Sequence, residues 1–138
     1  MSTEARRLTL PGKARLVMRV WVSFLVVLVG RGRHPLPELV RRLGARRRPL
    51  PYRLRPVRVG RIVVRSLAVG PLRPTCLTSA LVHFRVLRLQ GEPAELVIGL
   101  PEGASKADAH AWIELSGRDV GPPPGRGDHQ ELVRYPPA

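Results

Sequence analysis

Two residues of this chain are spaced and set to do covalent chemistry together. Cys76, the only cysteine, follows Thr75 at the head of an apolar stretch, and His110 sits in a second one, Ala109-His110-Ala111-Trp112-Ile113-Glu114. Leu77, Leu81, Phe84 and Leu87 recur at helical spacing and Gly91 supplies a stop, so a helix begins at Cys76 with Thr75 as its N-cap. A helix N-terminus favours negative charge, which makes a thiolate there the easier form to reach. From Ala109 to Leu115 the residues alternate as in a strand, with His110, Trp112 and Glu114 on one face. A thiol at a helix end beside a strand-borne imidazole is what nucleophilic catalysis by cysteine needs. The competing reading of Cys76 is a small buried hydrophobe.

His83 is the rival base, but it lies about two turns along the Cys76 helix, roughly 10 Å from the thiol by the helical rise. His110 is therefore the better partner. A third group must hold the imidazole in the right tautomer. Asp119 is the first candidate, across a hairpin closed by Ser116-Gly117, and Asp128 the second, if the proline-rich loop 121–127 folds back. That no residue fills the role is the third possibility. Glu114 lies one pleat beyond Trp112 and reads as a solvated carboxylate, while Trp112 either walls the site or belongs to the core. One cysteine and four dispersed histidines lack zinc-ligand spacing, and no glycine-rich phosphate loop with a lysine follows a strand. No metal and no cofactor is expected.

The elements that must carry these residues follow from periodicity. Leu16 to Val29 is apolar, broken by Arg19 and Ser23, and closed by Gly30-Arg31-Gly32-Arg33. It is too short and too charged for a spanning helix and lacks a signal-peptide cleavage site, so it reads as a helix facing the core or a partner, with membrane-surface contact as the alternative. Leu36 to Leu43 reads as a short helix, and Val59, Ile62, Val63 and Leu67 mark one face of another. Ala94 to Leu100, Ala109 to Leu115 and Arg118 to Val120 read as strands, and the remainder as loop and tail. The charged, proline-broken run 46–51 suggests a boundary, dividing the chain into a helical region, 1–50, and a core, 51–138.

With 138 residues, 43% of them hydrophobic but only 4% aromatic, one domain with an aliphatic core is expected. A lone cysteine excludes an internal disulfide and fits a cytoplasmic setting, with membrane association left open. The net charge of +14 attracts nucleic acid, anionic lipid or acidic peptide without choosing among them. Arginines crowd the segment before Cys76, from Arg41 to Arg58, and a recruiting role toward an acidic leader or carrier protein is expected of them.

The Cys76-Leu77-Thr78-Ser79-Ala80-Leu81 helix, the run Gly91 to Gly99 with Pro93-Ala94-Glu95-Leu96-Val97-Ile98-Gly99, and the Ala109 to Glu114 strand together resemble the transglutaminase-like cysteine peptidase of lasso-peptide biosynthesis. The resemblance spans about residues 61–120. It implies an α+β, papain-like transglutaminase-type core, with N-terminal helices and the nucleophile helix packed on a small antiparallel sheet. It further implies a peptidase that removes the leader from a ribosomally made precursor, beside a separate leader-binding protein and an ATP-dependent macrolactam-forming enzyme, with no nucleic acid involved. Cys76 then becomes the nucleophile and His110 the base. The chain departs from the family at the third position: the Asp usual there falls at Pro122, and Asp119 comes early. The rival from another class is a basic binding protein without catalysis, which explains the charge but not the settings of Cys76 and His110.

Overall fold

A computed structural model describes residues 10–44, 54–68, 75–101, 110–121 and 129–135. Helices α1 (Leu10–Arg33), α2 (Leu36–Leu43), α3 (Pro56–Ala68) and α4 (Cys76–Leu89) come first. Strands β1 (Glu95–Pro101), β2 (His110–Leu115), β3 (Arg118–Gly121) and β4 (His129–Tyr135) follow. The strands form one antiparallel sheet in the order β3-β2-β1-β4. This is the α+β arrangement, with helices packed against a small antiparallel sheet, that the sequence leads one to expect.

Helix α4 is the axis. Every residue from Thr78 to Leu87 is buried, so it carries no polar stripe, as befits a helix covered on all sides. Helices α1, α2 and α3 pack around it, and β2 and β1 cover the remainder. Helix α1 is longer than its apolar run suggested. Leu16, Val20, Phe24 and Val27, one face at helical spacing, are buried in the same cluster as Leu81, Phe84 and Leu87 of α4. Its opposite face leaves Met18, Val22, Leu25 and Val29 exposed. The helix is thus apolar on both sides, which explains why its sequence shows no clean stripe. Among the described residues no helix is long and apolar enough to cross a membrane.

Three polar side chains of α4 and its C-terminal end, Arg85, Arg88 and Gln90, are matched across the helix packing. Arg85 of α4 donates to Ser23 Oγ of α1 at 2.7 Å. Arg88 donates twice to the carbonyl of Gly44, the residue that ends α2, placing a cation at the negative end of that helix. The side-chain amide of Gln90 both accepts from Leu54 N–H and donates to Leu54 C=O. Such satisfied pairs fix one packing, because a lone buried partner would cost about 1–3 kcal/mol.

The sheet departs from expectation at both ends. β3 extends one residue further, to Gly121, and the presumed tail holds a fourth strand that pairs with β1. Leu132 and Val133 carry little alternation beside Glu131 and Arg134, so the period-2 signal was weak there. A register shift between Ile98 and Gly99 accounts for that: a bulge breaks the alternation of the partner strand. The Ser116-Gly117 turn is as expected. Both residues take positive φ, 50° and 80°, the conformation of a two-residue hairpin whose twist matches its strands.

Candidate active site

The N-terminus of α4 is capped as its sequence suggests. Thr75 Oγ1 accepts from Thr78 N–H at 3.2 Å, and Ser79 N–H bonds the Thr75 carbonyl. Cys76, the first helical residue, is exposed, so the buried-hydrophobe reading fails. A cation joins the cap: Arg31, near the end of α1, donates through Nη1 to Thr78 Oγ1 at 2.7 Å. Its sequence context, Gly30-Arg31-Gly32-Arg33, reads only as a helix stop. No sequence signal ties it to a helix 45 residues on, because packing of α1 along α4 is what brings them together. A guanidinium at the positive end of a helix is electrostatically unfavourable unless negative charge is to be held nearby.

His110 opens β2, half-buried, opposite Gly99 of β1. The short connection after α4, with Glu92 N–H bonded back to Leu87 C=O, turns the chain so that β1 returns along the helix. Gly99 and its partner His110 lie at the end of the β1–β2 ladder farther from the α4–β1 connection. The inward faces of β2, Ala111 and Ile113, join the core.

His83, the rival base, faces the interior. His83 is fully buried, and its Nε2–H donates to the carbonyl of Pro56 at 2.8 Å. Burial pushes its pKa down to about 4, against the opposing pull of the Pro56 and Gly121 backbone and the Asp119 charge. Neutral and shut away from solvent, it serves as a packing residue between α3 and α4. Asp119 pairs with Glu114, and its Oδ1 accepts from Gly121 N–H at 2.8 Å. That register sets its backbone four residues of β2 from His110, roughly 13 Å along the strand. Asp128 and the arginines at 46–48 lie outside the described residues.

Glu114 is not the solvated carboxylate its alternation suggests. Its side chain is 13% exposed, accepting from Trp112 Nε1 at 2.8 Å and pairing with Arg134 of β4 at 3.0 Å. Arg134 also bonds Glu95 and Glu131, and these carboxylates raise its pKa. The missed fourth strand thus supplies the partner that the sequence could not reveal. Trp112 is 4% exposed, clamped by this network on the side of the sheet it shares with His110.

A family model described as the Transglutaminase-like superfamily matches residues 18–134, most of the chain. The chain belongs to the transglutaminase-like superfamily. Members of that superfamily are commonly cysteine peptidases or transglutaminases, both of which work through a cysteine. No curated protein and no solved structure matches the chain. Within this transglutaminase-like domain the match begins inside α1, the helix that carries Arg31 to the α4 N-terminus. Among the described residues no group of three or more His, Cys, Asp or Glu side chains is gathered to hold a metal ion.

Proposed function

We propose that the protein is a cysteine peptidase that cleaves the leader from a ribosomally made lasso-peptide precursor, with Cys76 as nucleophile and His110 as general base. One observation carries the reading: the exposed thiol stands at the capped N-terminus of α4, the helix on which the His110 strand packs. The family supports thiol chemistry, and the resemblance of the Cys76 and His110 motifs supports the substrate class. A separate leader-binding protein and the macrolactam-forming enzyme are its expected partners.

In this mechanism His110 takes the thiol proton, and the sulfur attacks the scissile carbonyl carbon, forming a C–S bond. Backbone N–H groups at Cys76 and Leu77, ahead of those used by the Thr75 cap, receive the oxyanion. Arg31, one turn away, adds positive potential where the thiolate and the oxyanion develop. The imidazolium then protonates the leaving amine as the C–N bond breaks. Water, deprotonated by His110, attacks the thioester, and the free carboxylate and thiol are restored. Asp119, on the hairpin beside β2, is the proposed third member that holds the His110 ring in the right tautomer.

The experiment is leader removal from the cognate precursor in the presence of the leader-binding protein. Cys76→Ala and His110→Ala, each confirmed folded by circular dichroism, should both lose cleavage. Retained cleavage by either variant overturns the mechanism. If neither variant nor wild type cleaves, while wild type binds nucleic acid tightly, the protein is the basic binding module instead.

A further inference from the structure

A groove of about 620 Å³ runs between the first half of α1 and α3, within the size range of ligand clefts. Lys13 projects from one wall, and Arg55, Arg58, Arg61 and Arg65 from the other; among the described residues no carboxylate lines it. Of the described acids, Glu38 pairs with Arg41 and Arg42, and Glu95, Glu114 and Glu131 with Arg134. The floor is aliphatic, from Leu16, Val57 and Ile62. Arg58, Arg61 and Arg65 recur at three- and four-residue spacing, one edge of α3.

The geometry points to a docking groove for an acidic, amphipathic segment of the substrate polypeptide, remote from its scissile bond. The cations demand negative charge and the floor demands aliphatic side chains, a combination that an acidic peptide with interspersed leucines supplies. Nucleic acid fits less well, because among the described residues no aromatic side chain lines the groove to stack a base. A bilayer presents a plane, whereas this surface is concave. The groove also has a defined distance from the chemistry. Arg31 ties the far end of α1 to the α4 N-terminus, and Lys13 lies 18 residues earlier, about 27 Å by the helical rise. An extended chain spans that in roughly eight residues, so the acidic segment should sit at least that far from the cleaved bond. This inference rests on the peptidase reading for the identity of the ligand, but its binding test does not.

The test uses full-length Cys76→Ala protein and a fluorescein-labelled 16-residue peptide of alternating glutamate pairs and leucines, followed by anisotropy. The double variant Arg58→Glu/Arg61→Glu should weaken binding at least tenfold. Arg33→Glu/Arg118→Glu, which changes the net charge equally outside the groove, should stay within twofold of the parent. Should charge reversal unfold the protein, Arg61→Gln, with an unchanged melting temperature, is expected to weaken binding by about threefold. Equal weakening by both double variants would mean diffuse attraction and overturn the site, as would absence of peptide binding. Tighter binding of phosphatidylglycerol vesicles or of single-stranded oligonucleotide, lost only in the groove variant, would assign the groove to another class of partner. In precursor cleavage the groove variant should raise KM and leave kcat unchanged; unchanged KM alongside lost peptide binding overturns the substrate role alone.

Discussion

Acidification should destabilise this protein through His83 before its carboxylates titrate. The imidazole is fully buried between α3 and α4, and burial lowers its pKa from 6.5 to about 4. The folded chain therefore holds fewer protons than the unfolded chain between those values. The neutral ring's contribution is complete above about pH 6.5 and is lost as pH falls toward about 4. At about 1.4 kcal/mol per pH unit the whole gap is worth about 3 kcal/mol, of which about 2 kcal/mol is lost between pH 7 and pH 5. Urea unfolding followed by circular dichroism at those two values measures it, with His83→Leu as reference at constant ionic strength. The variant removes the titration, so its stability should vary less with pH than the wild type's by about 2 kcal/mol. Parallel pH dependences in the two proteins would refute the reasoning, because the buried ring would then be accepting protons without cost.

The same contact makes Gly60→Ala a packing test. An added Cβ would stand 2.8 Å from His83 Cε1, and the buried ring has no room to retreat, so the substitution should cost about 1–2 kcal/mol despite better helix propensity; a stabilised variant would contradict the close approach. Arg31→Ala should lower kcat several-fold and slow alkylation of Cys76 by iodoacetamide at neutral pH, because the α4 N-terminus loses its cation; an unchanged alkylation rate would make Arg31 merely a cap. Asp119→Asn should lower kcat strongly, by up to about ten-thousandfold, because an amide leaves the imidazole in the wrong tautomer; a mild loss would point to a Cys76–His110 dyad.

Local signals made α4 legible. Thr75, the heptad-like leucines and Gly91 are cap, stripe and stop in sequence, and the helix observed runs between them. The same holds for α2, whose observed bounds, Leu36–Leu43, match the expected ones, and for the Ser116-Gly117 turn. What failed to show was non-local. β4 reads as tail because its pairing with β1 is bulged and Leu132 is exposed, so neither alternation nor burial marks it. Glu114 looked solvated because its partner, Arg134, is twenty residues away on that unseen strand. Arg31 looked like punctuation because only the packing of α1 on α4 brings it to Thr78. How near Asp119 comes to His110 carries no local signal either, because register, not loop length, fixes how far along the strand two residues of a hairpin meet.

The central claim is that Cys76 carries the acyl group, and intact-protein mass spectrometry of an acid-quenched reaction tests it most directly. Wild-type protein mixed with precursor and leader-binding protein for less than one turnover should gain the mass of the leader fragment, mapped by digestion to the peptide containing Cys76. His110→Ala should accumulate none, and Cys76→Ser should gain no thioester releasable by hydroxylamine. Leader removal at full rate with no adduct on Cys76, or with Cys76→Ala in place of the wild type, would contradict the account.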